Sequence, residues 1–325
     1  MESVNKFQSL VILLMVAIGI LLGQIGFVQT YSEYMITPFL MVMLFLVFLQ
    51  IPLKDILKSF KNLKFTLTAV IINFIWTPLL ILVLGRLFLV DHPELLIGYI
   101  MLMVTPCTDW YLIFTGISKG NVALGSSILP LNLVLQLVLL PVYVFLIGGS
   151  SVDMNTMQLV KGVVSTLIIP LLCAIIIRKI IINKIGQEDF EEKVATKACD
   201  YQGYFLNAAI VSMFASQGKI LLENIQVLLI LLIPVLLFFV INFCVGRLVG
   251  RVMKLNYEDS VALNLTTLAR NSPIALAIAV ATFPDRPLIS LALIIGPLIE
   301  LPVLFLIVKI LLNIREKQLK IAVDE

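Results

Sequence analysis

The chain has 325 residues, 60% of them hydrophobic and only 13% charged, with a mean hydropathy of +1.08. Soluble domains carry about a quarter charged residues, and one buried core cannot absorb this apolar surplus, so a soluble globular protein is excluded and a membrane protein is implied. The net charge of +3 is small and spread along the loops, with no basic patch of the kind that binds nucleic acid.

The polar start MESVNKFQS leads into an apolar run without a small-residue cleavage site, which reads as a retained first span. A span needs about 20 apolar residues. Ten are expected, at 9–28, 34–53, 66–89, 93–118, 121–148, 157–181, 203–220, 224–250, 258–283 and 287–312. With the N-terminus inside, the connectors on that side hold clusters such as Lys54, Lys58, Lys61 and Lys64, or Arg178, Lys179, Lys184, Lys193 and Lys197. The other side holds only Arg86, Lys161, Lys219 and Arg286. The positive-inside bias therefore predicts a multi-pass protein of the cell (inner) membrane with both termini cytoplasmic.

The longest polar connector, NKIGQEDFEEKVATKACDYQ, occupies 183–202. It separates 1–182, which holds the first five spans and span six, from 203–325, which holds spans seven to ten and a C-terminal tail. Ten spans make two halves of five, and an odd number gives the halves opposite orientations, as in an inverted repeat. PVYVFLI at Pro141 and PVLFLIV at Pro302 lie 161 residues apart, and the same offset carries Asp109 onto Arg270.

Two spans carry breaks. The fourth contains VTPCTDWYLIFTG, residues 104–116, in which Pro106, Cys107, Thr108 and Asp109 follow one another. The ninth contains TTLARNSP, which ends at Pro273. Proline removes a backbone donor and clashes with the preceding turn. Discontinuous helices at matching places in two repeats point to a transporter's binding site. A charge at the centre of a span costs about 2.5–3.5 kcal/mol, so Asp109 and Arg270 are expected to pair where the breaks cross. Such a pair either pins the crossing or is made and broken during transport. In the fifth span, Asn132 and Gln136 are four apart and share a helix face, available to a solute or to hydrogen bonds between helices. Glu300 stands in GPLIELP of the tenth span, and Asn73 and Thr77 add polar groups to the third.

The four cysteines, Cys107, Cys173, Cys199 and Cys244, form no CxxC pair, and no resident metal or cofactor is expected. The lone His92 lies in a loop, LVDHPE, away from any nucleophile, base and orienting group, so an enzyme is not expected.

Taken together, TPCTDWYLIFTGISKGNVAL (105–124), ARNSPIALAIAVATF (269–283) and IGPLIELPVLFL (295–306) resemble the bile acid:sodium symporter superfamily. Within it they are most similar to the arsenite efflux permeases of the arsenical-resistance-3 type. The resemblance covers nearly the whole chain. It implies an all-α membrane fold of ten transmembrane helices in two inverted five-helix repeats. A panel, 9–53 and 157–220, would face a core, 66–148 and 224–312, in which broken helices four and nine cross.

Sodium-coupled members read PGGTASN in span four. Aligned on GNVAL, their Ser-Asn pair falls on Tyr111 and Leu112, and their span-five ligands fall on Gly125 and Leu129. Their span-nine Glu falls on Thr266 and their Gln on Arg270. The resemblance therefore implies a carrier without sodium coupling. Arsenite permeases carry a cysteine directly after the proline, as Cys107 stands here, and soft trivalent arsenic prefers thiolate. Their span-nine Glu falls on Ala275, and Asp109 is an addition.

The expectation is thus a proton-driven efflux carrier for arsenite or antimonite. Cys107 would touch As(III) as transported cargo, and Thr108, Asn132, Gln136, Asn271 and Ser272 would line the site. Asp109, Arg270 and Glu300 would handle protons or pair. The alternative is a sodium-independent carrier of a small organic anion held by Arg270 and half-helix N-termini. The partners implied are a small solute, protons and the lipid bilayer.

Overall fold

At membrane depth no water satisfies the backbone, so apolar runs of this length close their own hydrogen bonds as helices. The computed structural model describes residues 11, 14–50, 60–108, 110–148, 168–223 and 225–324. Its long elements are α1 (14–22), α2 (Gly26–Gln50), α3 (Phe60–Phe88), α4 (Pro93–Met103), α5 (Trp110–Ile117) and α6 (Val122–Gly148). They continue as α7 (Ile169–Ile185), α8 (Thr196–Glu223), α9 (Ile225–Val252), α10 (Tyr257–Leu268), α11 (Ser272–Thr282) and α12 (Pro287–Asp324). Among the described residues, α2, α3, α6, α9 and α12 are long and apolar enough to cross a membrane. The protein is an all-α, multi-pass membrane protein.

Helix ends depart from the expected spans. α2 begins at Gly26 rather than 34, and α12 runs past 312 through REKQLKIAVD. Hydropathy marks the part of a helix inside hydrocarbon. The helix itself continues while residues of good propensity, such as Glu, Lys, Gln and Leu, sustain its bonds. The connector at 183–202 is largely helical: Gly186, at φ 86°, ends α7, and helix resumes at Gln187 and runs into α8. Residues 157–167 of the sixth expected span, 51–53 of the second, and Lys54 and Lys58 lie outside the described residues.

α3 shows how one helix divides its faces. Leu63, Leu67, Ile71, Ile75, Leu79, Val83 and Leu87, each four apart, are exposed as a lipid-facing stripe, whereas Phe65, Ala69, Ile72 and Asn73 are buried. A π-turn at Ile72–Trp76 precedes Pro78. Pro78 has no N–H for the Phe74 carbonyl, and the Tyr143 hydroxyl of α6 donates to that carbonyl at 2.5 Å. α12 repeats the device: Pro297 frees the Leu293 carbonyl, to which the Ser272 hydroxyl donates.

Two sets of helices emerge from the packing. α2 lies along α8 and α7, with Gln50 Nε2 donating to Gln202 Oε1 at 2.8 Å. In the other set α4 packs on α12, α9 on α10 and α3, α11 on α12, and α10 on α5 and α6. α11 against α2, and α8 against α12, join the sets.

The α9–α10 contact is built on small residues. A Cβ on Gly246 would sit 2.7 Å from Asn264 Oδ1, and one on Gly250 would sit 2.6 Å from Ser260 Oγ. Without a hydrophobic drive between helices in lipid, such close backbone approach supplies the attraction. Gly246→Val is expected to cost about 1–3 kcal/mol through overpacking. It should lower the thermal midpoint of the detergent-purified protein. Gly203→Ala on α8, with nothing within 4 Å of the added carbon and a better helix former in place, should not lower the midpoint. Equal midpoints for both variants would sink this account.

Candidate functional site: the crossing of two broken helices

Helix stops at Met103 and restarts at Trp110; it stops again at Leu268 and restarts at Ser272. The two gaps lie against each other as a short antiparallel bridge between Pro106 and Arg270. Cys107 N donates to the Ala269 carbonyl at 2.9 Å, and Asn271 N donates to the Thr105 carbonyl at 2.7 Å. Pro106 lies in its gap. Pro273 lies in the first turn of α11, where a missing N–H costs nothing.

Each interrupted helix leaves carbonyls without an amide partner. At the end of α4, the Thr105 hydroxyl serves the Met101 and Leu102 carbonyls at 3.0 and 3.1 Å, and Arg270 Nη1 donates to Met103 O at 2.9 Å. At the end of α10, Asn73 Nδ2 donates to Thr266 O at 3.2 Å and Asn242 Nδ2 to Thr267 O at 2.6 Å. Arg270 Nη2 also donates to Thr267 O, and Arg270 Nε to Leu268 O at 3.0 Å. The Arg270 backbone N–H, which would otherwise continue the helix, goes to Glu300 Oε1 at 2.8 Å.

Arg270 is 1% exposed. Its guanidinium further donates to Asn73 Oδ1 at 3.3 Å and lies 5.1 Å from the centre of the Phe238 ring, a cation–π contact. Thus α3, α4, α9 and α10 hold the side chain, and α12 holds the backbone amide of the same residue.

The other expected residues fall in three places. Arg270, Ser272, Pro273 and Glu300 line a cavity. Its walls are otherwise mainly apolar, with Trp110, Leu276, Ile294 and Leu301 facing Leu206 and Ile210 of α8. Cys107, Thr108 and Asn271 lie in the crossing itself, with Asn271 Nδ2 donating to Thr108 Oγ1 at 3.1 Å; none of the three lines that cavity. Asn271 also caps α11 through its Oδ1 on Ile274 N. Asn132 and Gln136 are buried on α6, where Asn132 Nδ2 reaches Thr266 Oγ1 at 3.4 Å. Asn132 Oδ1 and both polar atoms of Gln136 have no hydrogen-bond partner. Asp109, and with it the expected Asp109–Arg270 pair, lies outside the described residues.

Asn242 escaped the reading of the sequence. Its signal was a single amide in the apolar run PVLLFFVINFC, and it both accepts from Trp76 Nε1 at 3.0 Å and donates to Thr267 O. The SKGNVAL motif also acquires a physical account. Lys119 turns at φ 58°, and a Cβ on Gly120 would strike Val261 Cγ1 at 2.5 Å. Asn121 caps α6 and donates to Asp259 Oδ1 at 2.8 Å, which ties the α5–α6 turn to the start of α10.

Asn242→Leu strands the Trp76 N–H and removes one donor from the Thr267 carbonyl. A cost of about 1–3 kcal/mol is expected. The check is the thermal midpoint of the variant in detergent, and a midpoint equal to wild type would show that the amide is dispensable to the crossing.

The model of the sodium bile acid symporter family matches residues 37–224. An arsenical-resistance protein of Corynebacterium glutamicum is 29% identical over 248 residues, covering 73% of this chain and 66% of that protein. A second, from Alkaliphilus metalliredigens, is 23% identical over 313 residues, 91% of this chain and 87% of its own length. An uncharacterized sodium-dependent transporter of Bacillus subtilis is 24% identical over 258 residues, covering 78% and 76%.

Proposed function

The chain belongs to the sodium bile acid symporter family, and from that premise we propose that it exports arsenite or antimonite across the cell membrane against an inward proton flow. As a member of a family of transport proteins it is a carrier and not an enzyme. The observation that carries the cargo is the place of Cys107. Its thiol-bearing residue, 2% exposed, is pinned by its own backbone to Ala269 at the meeting of the two breaks. A single thiol there binds a thiophilic centre reversibly, since one contact does not trap it. The arsenical-resistance names of two relatives agree with that cargo.

In this proposal Thr108, Asn271, Ser272, Asn132 and Gln136 supply polar contacts along the route. Asp109 carries the proton and alternates between the neutral form and a pair with Arg270. Glu300, on the cavity wall, is the second proton carrier. The chain has ten spans in two inverted repeats, with both termini cytoplasmic. The helix sets at 9–53 with 157–220 and at 66–148 with 224–312 move against each other as panel and core. Their separate packing, joined mainly where α8 and α2 meet α11 and α12, supports that division.

A second reading has its own observation. A mostly apolar cavity with Arg270 on its wall has the kind of lining that holds small organic ligands, apolar walls with a few polar groups. An organic anion near Arg270 would fit it. Against this, four named hydrogen bonds engage the guanidinium, and of its five N–H groups the one left over is the one that the Asp109 pair of the first reading takes.

The deciding experiment is arsenite accumulation in a strain without its own efflux pumps. Wild type is expected to lower cell arsenic, Cys107→Ser to abolish the effect, and Asp109→Asn to weaken the response to the proton gradient. Full resistance with Cys107→Ser would remove the thiol from the mechanism. Unchanged arsenic with wild type, together with saturable uptake of a carboxylate, would move the cargo to the organic anion.

A further inference from the structure

The crossing assembles the kind of oxygen set that discontinuous transporter helices offer to a coupling cation: freed carbonyls at half-helix C-terminal ends. The carbonyls are those of Met103 at the end of α4 and of Thr267 and Leu268 at the end of α10, joined by Asn73 Oδ1. What they surround is the guanidinium of Arg270. Each helix end carries about half a negative elementary charge, so two ends facing one guanidinium come close to neutrality. The Phe238 ring adds its electron-rich face to the cation.

Two neighbouring oxygens are engaged as well. The Tyr111 hydroxyl donates to the Gly125 carbonyl at 2.9 Å, and Thr266 Oγ1 accepts from Asn132. Backbone and side chains thus provide a cation place, and the chain fills it covalently.

We infer that Arg270 is a tethered cation: it occupies the cation site of the crossing, so the carrier closes its two broken helices without binding a free alkali cation there. Its role is positioning. It holds the C-terminal ends of α4 and α10 together, and with them the Cys107 segment. The inference rests on the reading of the chain as a carrier, but not on which cargo it moves.

It yields a test with a readout independent of cargo. The thermal midpoint of the purified wild-type protein is expected to be the same in sodium chloride and in choline chloride at equal ionic strength. Arg270→Ala should have a lower midpoint, raised saturably by millimolar methylguanidinium, as binding to the folded state requires. Methylguanidinium should leave wild type unchanged. Arg270→Lys, which keeps the charge but loses the planar fork, should fall between the two. In proteoliposomes loaded with arsenite, Arg270→Ala should lose about tenfold or more of the efflux rate and recover part of it with methylguanidinium.

A saturable stabilisation of wild type by sodium would overturn the inference, and that measurement needs no variant. So would an Ala variant with wild-type midpoint and efflux in choline, or a folded Ala variant indifferent to methylguanidinium. If wild type moves no arsenite while the midpoints behave as described, the cargo assignment fails and the tethered cation stands.

Discussion

A backbone carbonyl without a donor at membrane depth costs several kcal/mol, and each broken helix in this chain creates a set of them. The organisation around the crossing follows from that constraint. The ends of α4 and α10 cannot satisfy themselves, so a threonine of the gap, asparagines of α3 and α9 and the arginine of the second gap do so. α12 adds a carboxylate for the Arg270 amide, which the second break sets free. A membrane protein tolerates irregular backbone only where protein replaces water. Here several surrounding helices are recruited to that task, and their polar residues stand at the depths where the breaks need them.

The same constraint assigns some polar residues work other than touching a solute. Ser272 lines the cavity, yet its hydroxyl serves the carbonyl that Pro297 frees in α12. Asn271 caps α11 and holds Thr108. Arg270 is committed to carbonyls and an amide oxygen. Gln136 is the contrast: buried, and with both polar atoms unpartnered. An unsatisfied buried amide is costly to keep, which sets it apart from the structural polar groups around it.

A carrier needs a rigid site and a movable frame. In the proposed carrier the hydrogen-bonded crossing is the rigid part. The cavity beside it is bounded on its other side by Leu206 and Ile210 of α8, which belongs to the set of helices packed around α2. Apolar surfaces facing a polar crossing can slide without breaking hydrogen bonds, whereas the crossing itself cannot shift without stranding carbonyls. This is the physical support for the proposal that transport motion runs between the two helix sets rather than within the site.

Much of this was legible along the chain. Membrane class follows from composition, because apolar content acts residue by residue. The two gaps follow from proline and polar residues inside VTPCTDW and LARNSP, because loss of a backbone donor is a local event. Glu300 stood out because a carboxylate between two prolines in an apolar span is expensive wherever it packs. Helix ends were less legible: α2 and α12 extend beyond their apolar segments, since helix propensity does not stop where hydrocarbon does. Asn242 passed unnoticed because one amide in an apolar run has no meaning until a carbonyl is known to lie opposite. By itself the sequence determined that the chain lives in a membrane, where two helices break and which residues are costly there, all properties of neighbours in the chain. Only the tertiary structure decided that Arg270 spends its guanidinium on the carbonyls of Met103, Thr267 and Leu268, and that Asn73 and Asn242 complete the set. Those choices depend on which helix ends meet in space, and sequence separation carries no record of that.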